Sequence, residues 1–125
     1  MKEGFSFKKL INSFTHAFSG LRIAYFGQNF RLMIALVLIV FLLGILFKIS
    51  YEEWLILVLV IGFILTLEIL NTFFEELLDI LEPDYSKKIK VIKDLSSAAV
   101  LMMSLTAFIL GIIIFLFKIF QIFKS

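Results

Sequence analysis

The sequence contains no cysteine, one histidine and one proline. Without cysteine, the chain has no disulfide, no thiolate metal site and no cysteine nucleophile. The lone histidine, His16, excludes a metal site built from several histidines of one chain. Only 18% of the residues are charged and 62% are hydrophobic, whereas a soluble domain is about half apolar and about a quarter charged. A chain of 125 residues has too little interior to bury so much apolar surface, so we expect a membrane protein.

The first part of the chain lacks a targeting pattern. Residues 1–28 have no long apolar core and no small-residue cleavage site of the kind that a secretory signal peptide carries. We therefore expect no cleaved leader, and we interpret residues 1–125 as a single membrane domain.

Hydrophobic periodicity predicts four helices. Apolar residues of the segment 5–26 recur at helical spacing with polar residues between them, which predicts an amphipathic helix on the membrane surface. Three apolar segments predict membrane spans at about 31–49, 52–81 and 94–123; the first is close to the length of about 20 residues that a span needs, and the other two are longer. The predicted fold class is therefore an all-α membrane protein with one surface helix and three transmembrane helices.

The positions of lysine and arginine predict the orientation. Five of these residues lie at or before Arg31, one lies in the first loop, four lie in the basic segment 84–93, and two lie near the C-terminus. Basic segments tend to remain in the cytoplasm. We therefore expect a cytoplasmic N-terminus and a cytoplasmic second loop, formed by the segment 84–93.

The later half of the second predicted span carries acidic and amide side chains. Glu68, Asn71, Glu75 and Asp79 are spaced by three, four and four residues, so at about 100° per residue they share one narrow stripe. The stripe could simply mark where the helix leaves the membrane. Against that interpretation, Glu68 has apolar sequence on both sides, and an ionisable group near the membrane centre costs about 2.5–3.5 kcal/mol. Glu76 lies off the stripe, and we interpret it as a solvent-facing residue.

Carboxylates on one face near a lysine-rich segment suit phosphoryl transfer. This reaction needs a divalent cation on the phosphates, oxygen ligands for it and a base near the acceptor hydroxyl. Glu68 is the deepest carboxylate and is best placed to meet a hydroxyl at lipid depth, whereas Glu75 lies nearer to water. No glycine-rich phosphate loop is present, so we do not expect a soluble-kinase fold. A transporter or ion-binding membrane protein is the alternative from another functional class.

Two segments carry a family resemblance. Residues 67–79, LEILNTFFEELLD, resemble the E-x-x-N-[ST]-A-I-E-x-x-x-D signature of the bacterial diacylglycerol and undecaprenol kinases, which are small integral membrane lipid kinases. Residues 93–100, KDLSSAAV, resemble the A-K-D-x-x-[SAG]-A-A-V segment of the same family. Residues 82–85, EPDY, are similar to its S-x-E-Y turn. The resemblance extends over about residues 5–117, and the second segment argues against the transporter alternative.

The resemblance implies a function. We expect ATP-dependent phosphorylation of a membrane lipid alcohol in the bacterial plasma membrane, with Mg²⁺ as cofactor and ATP as phosphate donor. The Asn29-Phe30-Arg31 stretch and the turn at Pro83 favour undecaprenol over diacylglycerol. Members of the family form homotrimers with sites shared between subunits, and no nucleic acid is implied as a partner.

The resemblance also implies roles for individual residues. Glu68 would be the catalytic base on the lipid hydroxyl, and Asn71 would support it. Glu75 would bind the metal of the metal–ATP, and Ser97 would lie near the lipid. The residues implied in nucleotide binding are Glu75, Asp79, Asp84, Tyr85, Ser86, Lys93 and Asp94.

The chain departs from the family pattern in two places that bear on activity. The family has a second metal-binding glutamate where this chain has Gln28, or Gly27 if the segments are aligned from the other side, and the neutral carbonyl oxygen of glutamine is a weaker ligand for a hard cation. The family's Ala-Ile pair is replaced by Phe73 and Phe74, which add volume where helices or lipid approach closely. These departures keep open the alternative that the chain retained the fold and lost or altered its kinase activity.

Overall fold

The described residues of the chain form four α-helices. The computed structural model describes residues 4–82, 84 and 86–124, so Pro83 and Tyr85 lie outside the described residues. The helices are α1 (Phe7–Tyr25), α2 (Gln28–Leu46), α3 (Tyr51–Leu81) and α4 (Lys87–Lys124). The predicted all-α class is confirmed. Helices α2, α3 and α4 are each long and apolar enough to cross a membrane, which confirms that the chain has three such helices. The surface location of α1 stays a prediction.

A tight reversal joins α2 to α3. The backbone N–H of Ile49 donates to the carbonyl of Gly44 at 3.2 Å, and that of Lys48 donates to the carbonyl of Ile45 at 3.2 Å. This hydrogen-bond pattern is a Schellman motif, which ends a helix with one residue in the left-handed region. Lys48 adopts that conformation, with φ of 52°. The chain therefore reverses within a few residues, and α3 runs back alongside α2.

The start of α3 is fixed by a capping box. The Ser50 hydroxyl accepts from the backbone N–H of Glu53 at 3.2 Å, and the Glu53 carboxylate accepts from the backbone N–H of Ser50 at 2.9 Å. Glu53 also forms an ion pair with Lys118 of α4 at 3.5 Å. This end of α3 is therefore tied both to the preceding turn and to α4.

Helix α3 is the centre of the packing. It packs most extensively against α4 and less against α2, while α1 contacts α2. A small apolar core of Ile49, Leu57 and Ile114 lies close to the α2–α3 reversal. Many large apolar side chains on all four helices remain exposed. The four helices of one chain therefore leave wide apolar faces for lipid or for other subunits.

The basic segment 84–93, which the sequence predicted to be a loop, is helical from Lys87 onwards. Helix α4 begins at Lys87, because the Ser86 hydroxyl accepts from the backbone N–H of Ile89 at 3.2 Å and caps the first turn. The four lysines of this segment therefore project from the start of a helix instead of lying in an irregular loop.

We predict that Gly44 is required for close packing at the α2–α3 reversal. A Cβ atom at Gly44 would lie 2.7 Å from Cη2 of Trp54, and the Trp54 ring is itself stacked on Phe41 with centroids 5.6 Å apart. Overpacking of this kind costs about 1–3 kcal/mol, so Gly44→Ala should unfold at lower temperature in detergent. Gly62→Ala is the control, because a Cβ there meets no atom within 4 Å. Equal thermal stability of the two variants would contradict this account of the reversal.

Candidate functional site

A polar cavity lies between the start of α2 and the later half of α3. Its volume is about 470 Å³. The residues that line this polar cavity are Ile23, Phe26, Gly27, Gln28, Asn29, Glu68, Asn71, Thr72, Glu75 and Glu76. Because α1 and the α1–α2 turn form one wall and α3 forms the other, the cavity depends on the fold of the first three helices.

The turn between α1 and α2 brings two amide side chains to the cavity. Gly27 is the N-cap of α2, with extended backbone angles of φ −72° and ψ 134°. The chain therefore turns just before Gln28 and Asn29, which form the first residues of α2 and line the cavity. These two residues face a helix wall that carries carboxylates.

The α3 wall is one continuous helix face. Its five lining residues are Glu68, Asn71, Thr72, Glu75 and Glu76. Their spacing by three or four residues places them within about 140° of the helix circumference. The sequence predicted the part of this face that carries Glu68, Asn71 and Glu75. Thr72 was not predicted and Glu76 was interpreted as solvent-facing, although their spacing of four and eight residues from Glu68 places both on the same face.

Two polar residues at the base of the cavity are buried. Glu68 is 5% exposed and Asn71 is 6% exposed, and no other polar side chain is buried in the part of the chain that the structure describes. The Asn71 amide nitrogen donates to Oε1 of Glu75 at 3.2 Å. Buried polar atoms are nearly always hydrogen-bonded, yet Asn71 Oδ1 has no hydrogen-bond partner among the described residues. The cavity thus contains an acceptor that is available to a ligand.

A second, apolar cavity adjoins the polar one. It has a volume of about 440 Å³ and lies between α2, α3 and α4. Asn29 lines both cavities, and most of the apolar cavity's other lining residues are apolar, including Leu32, Met33 and Phe108. Asn29 is therefore common to the wall of an apolar space and to that of the polar cavity.

The predicted nucleotide-binding residues of α4 do not line the polar cavity. Lys93 instead donates to Oδ1 of Asp79 at 2.7 Å, which links α4 to α3. Asp94 is exposed and forms an ion pair with Lys90 one helical turn away. A charged cluster therefore lies outside the polar cavity, near the end of α3, and consists of Asp79, Lys90, Lys93 and Asp94.

The remaining predicted site residues are dispersed. The Ser86 hydroxyl caps α4, Asp84 is exposed in the bend between α3 and α4, and Ser97 is exposed on α4. Tyr85 lies outside the described residues. Of the predicted residues that the structure describes, Gln28, Glu68, Asn71 and Glu75 lie together in one cavity, Asp79 pairs with Lys93, and Asp84, Ser86 and Ser97 belong to neither group.

The bulky pair that departs from the family pattern lies away from this site. Phe73 and Phe74 are 54% and 42% exposed, and neither lines the polar cavity. Their rings contact each other edge to face, with centroids 5.6 Å apart. Within one chain their bulk therefore obstructs none of the polar groups.

The oxygen atoms of the cavity are suitable for a hard cation. Among the described residues, no three Asp, Glu, His or Cys side chains form a group that could hold a metal ion. An all-protein cage is therefore not present. Mg²⁺, however, is usually held by one or two carboxylates together with waters and substrate phosphates, and the carboxylates and amides of this cavity can supply that smaller set.

Comparison with known proteins identifies the family of the chain. The sequence matches the family described as prokaryotic diacylglycerol kinase over residues 15–115. It is also 33% identical to an undecaprenol kinase of Bacillus subtilis (strain 168) over 111 residues, which are 88% of this chain and 90% of that protein. No solved structure matches the chain. The family match extends over most of the chain and includes both walls of the polar cavity. The chain therefore belongs to the prokaryotic diacylglycerol kinase family, and three of its helices are able to span a membrane.

Proposed function

We propose that this chain transfers a phosphoryl group from ATP to the hydroxyl of a membrane lipid alcohol, with undecaprenol favoured over diacylglycerol. The observation that carries the proposal is the buried Glu68 carboxylate, which lines the polar cavity from within a predominantly apolar helix. A buried carboxylate inside a membrane helix is expensive and therefore points to a function. The similarity to an undecaprenol kinase supports the choice of lipid.

Glu68 acts as the general base in this proposal. Its carboxylate accepts the proton of the lipid hydroxyl while the hydroxyl oxygen forms a bond to the γ-phosphorus of ATP. The bond from that phosphorus to the bridging oxygen breaks, and ADP leaves with the bonding electron pair. Phosphoryl transfer depends mainly on positioning and charge, so the base must be held rigidly. The burial of Glu68 within α3 provides that rigidity.

The apolar cavity supports the choice of a lipid acceptor. Because Asn29 lines both cavities, a hydrocarbon chain in the apolar cavity would bring its hydroxyl end towards the amides and carboxylates of the polar cavity. Apolar surfaces with a few polar groups at one end are typical of sites for amphiphilic ligands. The acceptor hydroxyl and Glu68 would then meet at lipid depth.

Membership of a kinase family implies ATP and a divalent cation, which we propose to be Mg²⁺. The donors present fit such an ion, because Asn71 Oδ1 is buried without a hydrogen-bond partner among the described residues, and Glu75 lies beside it. We propose that Glu75 and Asn71 hold the cation, with Gln28 as a neutral donor on the opposite wall. When bound, the ion would neutralise negative charge on the phosphate oxygens.

The charged cluster at the start of α4 supports a role in nucleotide binding. Lys93 has a side chain that is 29% exposed and is oriented by Asp79, so it is positioned to attract phosphate groups. We propose that Lys93 and Asp94 engage ATP, and that Asp79 positions Lys93. Asp84, Tyr85 and Ser86 are proposed to lie beside the nucleotide, and Ser97 near the lipid.

We further propose a homotrimer in the bacterial plasma membrane, with the N-terminus in the cytoplasm. The exposed apolar faces of α2, α3 and α4 support burial against lipid and other subunits. The lysines at the start of α4 support a cytoplasmic position for that helix end.

Replacement of Glu68 by glutamine should abolish most of the activity. Removal of a general base costs about 10²–10⁴-fold in rate, and glutamine retains the size of the side chain while losing its basicity. We would measure ATP-dependent phosphate transfer to undecaprenol and to diacylglycerol by purified protein in detergent with Mg²⁺. The control is Glu82→Gln, which makes the same change at the exposed C-cap of α3.

Three outcomes separate the functional alternatives. Transfer by the wild type and by Glu82→Gln, but not by Glu68→Gln, supports the kinase and identifies its lipid. Transfer that is equal in Glu68→Gln contradicts the assignment of the base. Absence of transfer by folded wild-type protein to either lipid contradicts kinase activity and favours a homologue that retained only the fold.

Cysteine labelling tests the proposed orientation, because the chain has no cysteine of its own. We predict that Glu52→Cys, at the start of α3, reacts with a membrane-impermeant maleimide in intact cells. Lys88→Cys, at the start of α4, should react only after the membrane is permeabilised. Both positions are exposed in the structure. The opposite labelling pattern would contradict a cytoplasmic N-terminus.

A further inference from the structure

All carboxylates of the polar cavity come from one helix. Glu68, Glu75 and Glu76 line it from α3, whereas α2 contributes only the neutral amides of Gln28 and Asn29. A hard cation prefers anionic oxygen ligands. Any strong protein ligand for a cation in this cavity must therefore come from the α3 wall.

The unpartnered atom of Asn71 indicates that a ligand binds in this cavity. The residue is 6% exposed and lines the cavity. Its amide nitrogen is bound to Glu75, but its Oδ1 lacks a hydrogen-bond partner among the described residues. A buried carbonyl oxygen without a donor is unfavourable unless something occupies the space beside it. A water molecule or a cation would satisfy this oxygen, and the carboxylates of the same cavity favour a cation.

The two carboxylates best placed to share that cation are Glu75 and Glu76. Glu75 is held next to Asn71 by their hydrogen bond. Glu76 lines the same cavity and is exposed, and it forms no ion pair or hydrogen bond with another described residue. Glu68 is buried at 5% exposure and is required as a base, so it is the least suitable of the three as a ligand for a cation that arrives from water.

We infer that Glu76 supplies the second carboxylate of the cation site, with Glu75 as the first and Asn71 Oδ1 as a neutral ligand. This assignment rests on the proposed kinase function for the identity of the cation. It gives the site two anionic ligands from consecutive residues of one helix, although Gln28 on the opposite wall is neutral. The departure at Gln28 is thereby compensated from α3.

Direct measurement of cation binding tests the assignment without relying on activity. Purified protein in detergent is titrated with Mn²⁺, and the loss of the free Mn²⁺ signal is followed by electron paramagnetic resonance. Even outer partners of metal ligands change affinity by about 10–100-fold when they are replaced, so Glu76→Gln should weaken binding at least about tenfold. Glu82→Gln is the matched control, because it removes one exposed carboxylate of α3 that does not line the cavity.

A second variant tests compensation between the two walls. In Glu76→Gln protein, the further change Gln28→Glu returns one carboxylate to the cavity from α2, and it should restore most of the Mn²⁺ affinity. Equal affinity of Glu76→Gln and Glu82→Gln overturns the role of Glu76 while leaving the kinase proposal in place. Absence of Mn²⁺ binding by the wild type overturns this assignment, whereas the kinase proposal is tested separately by phosphate transfer to the lipid.

Discussion

The structure depends on holding one carboxylate inside an apolar helix. Glu68 is 5% exposed on α3, and a charge at membrane depth costs about 2.5–3.5 kcal/mol on insertion scales. That cost is tolerable only where polar groups surround the carboxylate. The polar cavity provides them, because the turn at Gly27 brings Gln28 and Asn29 opposite the α3 wall. The geometry of the α1–α2 turn is therefore as important to the site as the acidic helix itself.

Helix α3 links this constraint to the rest of the fold. Its first turn is fixed by the Ser50–Glu53 capping box and by the ion pair of Glu53 with Lys118. Its last turns carry Asp79, which pairs with Lys93 of α4. Both ends of α3 are thus tied to α4, which fixes the position of Glu68 relative to α4. The proposed transfer from a water-soluble nucleotide to a lipid needs a carboxylate at a fixed position.

Much of this arrangement could be predicted from the sequence, because membrane helices are long and their periodicity is strong. The spacing of Glu68, Asn71 and Glu75 was sufficient to place these residues on one face. The partners of that face were harder to recognise, since Asn29 belongs to another helix and its position depends on the α1–α2 turn. Glu76 lies off the narrow stripe, but the observed α3 wall is broader and includes it. The helical start of α4 is not evident from the sequence because a lysine-rich segment resembles a loop, although Ser86 provides the cap that starts the helix.

The two departures from the family pattern now have different physical meanings. Phe73 and Phe74 are exposed on α3 and do not line the polar cavity, so they do not obstruct it. Gln28, in contrast, lies in the cavity, and in the proposed site it is a neutral ligand where the resemblance implies a charged one. The consequence of this change depends on the total charge of the cavity, and the α3 wall contains three glutamates. Charge that is lost from one wall can be supplied by the other, provided that the cation lies between them.

The central claim is that phosphate transfer depends on the buried Glu68 carboxylate. A hydrophobic carbodiimide reacts with carboxyl groups at membrane depth, and the modified residues can be located by mass spectrometry of the purified protein. The account predicts that modification of Glu68 and loss of lipid phosphorylation proceed in parallel, and that the lipid alcohol slows both. Full modification of Glu68 with unchanged phosphate transfer would contradict the claim.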